Sequence, residues 1–562
     1  MLLSIITIFI ALIILRLFTL QVISHGYYER LASNQHEFEQ VILPKRGDIY
    51  LQPTAKDSQP LLVATNVTKN LVYVNPKEIE NPGNTAAKLS KTLEMPEAEI
   101  LDKLAATGKN YVPLKKQLSD ETSDQIQQMK LPGVYLEPED IRLYPEGNLA
   151  SQVLGFVGYR GDQRVGQYGI EGRYEQQLSG SKGIMGSESD VAGRWITFAS
   201  RNFTPAQDGD TLYLTLDPAI QFKAQEVLKK TVQEHGAENG SVIVVNPKTG
   251  AILAMANYPD FNPNEYGKAE NVSQFANNAV SIDYEPGSVF KAITMAAALN
   301  EGRITPDTTY EDTGQVEIDG HTIKNSDPKP NGIQNMKDVL DKSLNTGLVF
   351  VEQQLGHTAF QDYVQKFGFG KDTGIELPGE SAGDIKNLDR KGDVFFATAS
   401  FGQGITVTPL QMVQAYTAIA NGGKMMQPYI VETVKHADGV EEPHRPKELG
   451  KVIDSKTAAT LSAMLVDVVE NGHGKRAAVK GYFIAGKTGT AQVAYKDRQG
   501  YDPNRNIGSF VGFGPVDNPQ FLAIVKIDSP RDVKFAESTA APAFGEIASF
   551  ILNYLQIPPT RQ

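Results

Sequence analysis

The apolar positions of this 562-residue chain fall into three regimes. Met1 to Leu15 carries no charge, and Leu17 to Ile23 extends the apolar run past Arg16. A bilayer crossing needs about 20 apolar residues, and an arginine near one end can snorkel to the interface. Residues 24–205 then read as strand-rich, with glycine turns and two helical patterns, Thr85 to Leu104 and Ser119 to Met129. The third regime, 206–562, opens with an alternating strand, Thr211-Leu-Tyr-Leu-Thr215. Asp217-Pro-Ala-Ile-Gln221 follows, a cap with a proline in the first helical turn. Apolar runs predict strands at 241–256, 482–495, 507–513 and 521–528, arranged as hairpins. Helical spacing marks 288–299, 336–355, 408–421 and 455–470, and a last helix from Ala541 to Leu555. Strands at both ends with helices between them predict an α+β sandwich, an antiparallel sheet with helices on both faces.

Three short strings lie in this third regime: Ser288-Val289-Phe290-Lys291, Ser343-Leu344-Asn345 and Lys487-Thr488-Gly489-Thr490. Each alone means little. Ser-x-x-Lys recurs at Ser179 and Ser326, Lys-Thr-Gly at Lys248, and Ser-x-Asn at Ser200. Local context separates the copies. A serine nucleophile needs a base within reach, and positions i and i+3 meet only on a helix. Ser179 lies among glycines and Ser326 among prolines, whereas Ser288 opens the run Val289 to Leu299. There the free N–H groups of a helix start can face a developing oxyanion. Lys248-Thr-Gly250 sits between two apolar runs and reads as a hairpin turn. Lys487 instead follows Tyr482-Phe-Ile-Ala-Gly486 and continues into Thr490-Ala-Gln-Val-Ala-Tyr495, one strand with glycines at its middle. Glycines there strip side chains from the backbone, so that a peptide can pair alongside as an added strand. Thr488, Thr490 and the ammonium of Lys487 are then placed to hold a terminal carboxylate.

The ordered trio resembles the serine acyl-transferases that include penicillin-binding proteins and serine β-lactamases. The likeness runs along nearly the whole chain and is to the class B penicillin-binding proteins, monofunctional peptidoglycan transpeptidases. Pro44-Lys-Arg-Gly-Asp-Ile-Tyr50 resembles the segment after their membrane anchor. Arg142-Leu-Tyr-Pro145, Leu154-Gly-Phe-Val-Gly158 and Tyr168-Gly-Ile-Glu-Gly172 are similar to their non-catalytic module. Asn246 to Gly250, Tyr258-Pro259, Phe401-Gly-Gln-Gly404 and Thr408-Pro409 recur in their catalytic module. The run from Gly508 to Asp528 looks more like the division and sporulation branch than the elongation branch.

The resemblance implies the penicillin-binding transpeptidase fold in 206–562, a pedestal of dimerisation type in 24–205 and a signal anchor in 1–23. It also implies roles. Ser288 attacks the carbonyl between the terminal D-alanines of a peptidoglycan stem, with Lys291 as its base. Ser343 relays a proton to the leaving amine, Asn345 fixes a substrate amide, and Lys487 binds carboxylate. Thr488, Gly489 and Thr490 line the substrate, and the N–H groups of Ser288 and Thr490 form the oxyanion hole. Implied partners are stem peptides, their lipid-linked precursor, β-lactams as inhibitors and a polytopic glycan-polymerising membrane protein. No cofactor or metal is implied, and the eight histidines show no ligand spacing. The expected setting is the bacterial plasma membrane, crossed once, with the catalytic module outside the cytoplasm.

Composition removes some readings. A net charge of −12 and a pI near 5.3 argue against a nucleic-acid surface. With no cysteine there is no disulfide, no thiolate catalysis and no lipidated N-terminal cysteine. The hydrophobic share of 41% and charged share of 21% are those of a globular protein. Ser24-His-Gly-Tyr-Tyr-Glu-Arg30 offers no good cleavage site, which favours an anchor over a cleaved signal. No basic residue precedes the apolar run, so its orientation rests on the resemblance. The pedestal lacks the length and paired acidic motifs of a glycan-polymerising module. Two other classes stay open: a hydrolase of the carboxypeptidase or β-lactamase kind, and a non-catalytic division scaffold. Many β-lactamases carry an Asp where this chain has Leu344, and no dedicated deacylating carboxylate is evident.

Overall fold

The computed structural model describes residues 2–26, 37–55, 58–106, 108–161, 163–188, 202–495, 498 and 500–561. The decoy Ser200 and part of the Ser24–Arg30 stretch lie outside these. The chain divides into two compact units, residues 1–47 with 176–210, and residues 48–175 with 211–562. In the first, α1 (Leu2–Phe18) runs on through a wider turn, Thr19–Ile23. The stretch Ile5–Ile23 has a mean hydropathy of 2.5 and none of it is buried inside the protein, which makes it long and apolar enough to cross a membrane. The unit also holds a three-stranded antiparallel sheet of 37–42, 183–188 and 202–204.

The second unit has two sheets that matter for the site. One is seven-stranded. It contains β1 (Ile49–Leu51), β2 (Leu61–Val74), β3 (Val112–Lys115) and β4 (Val134–Leu143). It continues through β5 (Thr211–Leu214), which pairs in parallel with β1 and antiparallel with Val431–Lys435. Residues expected to belong to pedestal and catalytic modules therefore share one hydrogen-bonded sheet. Helices Pro82–Leu93, Glu97–Leu104 and Asp120–Met129 pack on β2 and β3 through Leu89, Ile100, Leu104 and Ile126. The single helical pattern expected over 85–104 is broken because Glu94 adopts a left-handed conformation (φ 52°) and Pro96 starts the next helix. Arg142 and Glu171, from two of the strings that carry the resemblance, form a buried ion pair with Nε–Oε1 at 2.6 Å.

The other sheet is five-stranded and antiparallel. Its strands are β6 (Asn239–Val245), β7 (Ile252–Tyr258), β8 (Ala485–Ala494), β9 (Tyr501–Gly514) and β10 (Phe521–Asp528), in the spatial order β7-β6-β10-β9-β8. The three predicted hairpins are present. The pairing of β6 with β10, which closes the ends of the module on each other, has no local sequence signal. β8, which carries Lys487, is an edge strand.

On one face lie α2 (Pro218–Glu234) and the C-terminal helix Ala540–Tyr554, burying Ile220, Leu228, Phe544 and Ile551 against Val242, Phe510 and Val525. On the other lie α3 (Lys291–Asn300), α6 (Pro409–Ala420) and α7 (Ser455–Glu470). α6 is buried at every position and α3 at eight of its ten, as expected of helices at the centre of a sandwich. The α+β fold predicted from the pattern is thus the fold observed. The block expected as one helix over 336–355 is two, α4 (Met336–Asp341) and α5 (Asn345–Leu355). The break falls on Ser343.

Asp217 tests the joint between layers. It is fully buried and accepts from the N–H groups of Ala219 (2.9 Å), Ile220 (3.1 Å) and Thr54 (2.6 Å), and from Tyr554 Oη (3.2 Å). Asp217→Ala should destabilise the protein by about 2 kcal/mol or more, losing a cap and orphaning buried donors. Chemical denaturation of the full-length protein checks this.

Candidate active site

Ser288 lies in a tight 3₁₀ turn, Gly287–Phe290, that runs straight into α3. The turn is held from three sides. Gly287 N donates to Gly402 O (2.9 Å), Tyr284 pairs with Val407, and Tyr416 Oη on α6 donates to Val289 O (2.6 Å). Val289 and Phe290 point inward, and Ser288 is left half-buried.

One turn on, Lys291 is 0% exposed. Its Nζ lies 2.6 Å from Ser343 O, 3.2 Å from Ser343 Oγ and 2.8 Å from Asn345 Oδ1. Those acceptors exist because Ser343 takes a left-handed backbone (φ 55°) between α4 and α5. That turn aims the carbonyl and hydroxyl of one residue at the same amine, and lets Asn345 begin the next helix. A non-glycine residue held there stores strain that its surroundings must offset.

From the opposite side, Lys487 Nζ reaches Ser343 Oγ at 3.1 Å, Thr488 O at 3.1 Å and Thr488 Oγ1 at 3.4 Å. It too is 0% exposed. Two buried amines therefore share one hydroxyl. Burial drives the Lys291 amine well below its usual range, and the charge of Lys487 adds to this. Burial brings Lys487 down to about 7, against the pull of Asp341 and Glu537. Behind it the Asp341 carboxyl is pushed up to about 7, by burial first and by Asp467 next.

Thr488, Gly489 and Thr490 continue along β8. Beside the expected opening of the strand to a peptide, the glycines there meet a packing demand. A Cβ on Gly489 would stand 2.6 Å from Ser509 Oγ, 2.9 Å from Val289 Cγ1 and 3.1 Å from Pro286 O, and one on Gly486 2.5 Å from the Phe510 ring. The strand needs glycine so that the Ser288 turn and β9 can press against it. The same approach brings Ser288 beside the 489–490 segment. Thr490 Oγ1 accepts from Ala536 N (3.2 Å), so its hydroxyl is already anchored from one side.

All eight residues singled out from the sequence border this one region. Two of the decoys have the local setting their sequence suggests: Lys248 N donates to Asn246 Oδ1 (3.0 Å) in a hairpin turn, and Ser326 lies in a bend. One residue carried no signal. Glu285 Oε1 accepts from Gly404 N (2.9 Å) and Tyr501 Oη (3.2 Å), tying three distant segments together around the nucleophile turn.

A serine one turn from a buried amine, a second hydroxyl between two amines and, among the described residues, an edge strand beside them are the parts that acyl transfer to a serine calls for. The comparisons agree. Residues 240–549 match the penicillin binding protein transpeptidase domain, and residues 41–214 the penicillin-binding protein dimerisation domain. The chain belongs to the penicillin-binding protein transpeptidase family. It is 34% identical over 527 residues to stage V sporulation protein D of Bacillus subtilis, covering 92% of this chain and 79% of that one. It is 30% identical over 558 residues to the peptidoglycan D,D-transpeptidase FtsI of Escherichia coli, covering 98% and 90%. Penicillin binding protein 3 of Mycobacterium tuberculosis, complexed with aztreonam, superposes with a TM-score of 0.71 at 28% identity, covering 93% of this chain and 99% of that one.

Gly489→Ala should slow acylation and cost about 1–3 kcal/mol of stability, since the added methyl meets backbone and packed side chains. Penicillin labelling and a melting curve measured on the same preparation check both effects.

Proposed function

We infer that this protein is a class B penicillin-binding protein of the division and sporulation branch, a serine-type peptidoglycan D,D-transpeptidase that β-lactams acylate. The observation that carries the residue-level reading is the meeting of two buried amines on Ser343 Oγ beside the Ser288 turn.

In that reading Lys291 is neutral. Two of its N–H bonds are directed at Ser343 O and Asn345 Oδ1, which leaves the lone pair for a hydroxyl. It takes the proton of Ser288 Oγ as the oxygen bonds to the carbonyl carbon of the penultimate D-alanine. The oxyanion is received by the N–H groups of Ser288 and Thr490, a donor in such a hole being worth about 3–4 kcal/mol. The C–N bond then breaks, the proton passes by way of Ser343 to the departing amine, and D-alanine leaves. The amine of a second stem attacks the ester, gives up a proton along the same path and frees Ser288. Lys487 and Thr488 hold the terminal carboxylate, Asn345 a substrate amide, and the free edge of β8 the donor peptide as an added strand. In a β-lactam the leaving nitrogen stays tethered, which supports a lasting adduct. Leu344 is buried and offers no base for water, in keeping with transfer rather than hydrolysis.

The apolar helix supports a single membrane crossing by residues 1–23, with 24–205 as pedestal and 206–562 as catalytic module outside the cytoplasm. A polytopic glycan-polymerising protein is the partner this arrangement suits.

Ser288→Ala should abolish covalent labelling by fluorescent penicillin while circular dichroism stays unchanged. Labelling that persists would refute the assignment. Lys291→Ala should still bind penicillin yet acylate very slowly. The pH profile has a defined sign. Acylation rises from acid as the Lys291 amine becomes neutral, and falls above about pH 7 as Lys487 loses the charge that holds carboxylate. A bell-shaped second-order acylation rate, with its alkaline limb near 7, is expected.

A further inference from the structure

Between α3 and α4 the chain leaves the sandwich as two small antiparallel pairs, Thr309–Asp312 with Gly332–Asn335, and Gln315–Ile318 with His321–Lys324. None of the three strings lies in them. At their centre is Asp312, 1% exposed. Its carboxylate accepts from Thr346 Oγ1 (2.6 Å), Asn331 Nδ2 (2.5 Å), Gly314 N (3.1 Å) and Asn325 Nδ2 (3.0 and 3.2 Å to its two oxygens). Two of these donors act on the site. Thr346 follows Asn345, and its N–H donates to Asn325 Oδ1 (3.1 Å). Asn325 follows Lys324, whose carbonyl accepts from Asn345 Nδ2 (2.8 Å).

That last bond decides which way the Asn345 amide faces. A backbone carbonyl can only accept, so the NH2 group must turn to Lys324 and the oxygen to Lys291. With the amide reversed, its N–H would point at Lys291 and occupy the lone pair that receives the serine proton.

We propose that Asp312 is a positioning residue for proton transfer at Lys291: through Asn325 and Thr346 it fixes the Lys324 carbonyl and the first turn of α5, and so keeps the Asn345 oxygen on the lysine. The inference rests on Lys291 being the base. The other groups along this path are Lys487, facing Lys291 from β8; Asp341 and Glu537, which act on Lys487; and Tyr310, whose Oη lies 3.1 Å from Thr346 Oγ1 and which Asp312 and Asp338 influence.

The test is the second-order rate of acylation by fluorescent penicillin, measured against pH on the detergent-solubilised full-length protein. Asp312→Asn turns an NH2 group toward donors and releases the Asn345 amide. Its plateau rate should fall about tenfold, the scale of one buried hydrogen bond. Its acid limb should move to lower pH, because the ammonium form of Lys291 loses an acceptor. Thr346→Val removes one donor to Asp312 at nearly constant volume, and should move the limb the same way by less. Loss of folded protein scales the amplitude but cannot move the limb. A limb that stays at the wild-type pH in both variants overturns the proposal, and if Asp312→Asn does not fold, the Thr346→Val limb decides alone. Labelling retained by Ser288→Ala would bring down the underlying enzyme reading instead.

Discussion

Two primary amines enclosed in one water-poor cleft are the constraint on which this structure turns. Each pays a desolvation cost of several kcal/mol if charged, and two ammonium groups sharing one hydroxyl repel. The stable arrangement keeps at most one of the two amines charged at a time. Around the two nitrogens the cleft sets three carbonyl-type acceptors, Ser343 O, Asn345 Oδ1 and Thr488 O, and the Ser343 hydroxyl, which can accept from one amine while donating to the other. The strained backbone at Ser343, the close approach of the Ser288 turn to β8 and the buried helix α3 all serve to bring those acceptors to the two nitrogens.

Much of this arrangement is legible in the sequence. The helical run after Ser288, the hairpin around Lys248 and the proline-flanked Ser326 distinguish the strings by local context, and the structure shows a helix after Ser288, a turn at Lys248 and a bend at Ser326. Hydrophobic spacing also marks helices of both faces of the sandwich, 288–299, 408–421 and 455–470 on one and Ala541 to Leu555 on the other.

What stayed hidden depends on contacts between residues far apart in the chain. A left-handed serine inside a helical pattern looks like a helical serine, so the break between α4 and α5 was not visible. Asp312, Glu285 and Tyr416 bond to partners such as Thr346, Tyr501 and Val289, which lie 34, 216 and 127 positions away, and nothing in their immediate neighbours marks them. Gly489 has a packing role that its sequence setting does not reveal. Its partners are Ser509 and the Pro286–Val289 turn, and sequence spacing reports the lack of a side chain without saying what needs the room.

The seven-stranded sheet has a practical meaning. β5 takes β1 as one neighbour and Val431–Lys435 as the other, so cutting the chain at residue 206 would strip one whole side of β5. A catalytic fragment prepared that way would carry bare backbone donors and acceptors next to apolar Leu212 and Leu214, a template for pairing with other copies. Preparations meant to stay monodisperse should therefore keep residues 48–175, even when only the chemistry at Ser288 is of interest.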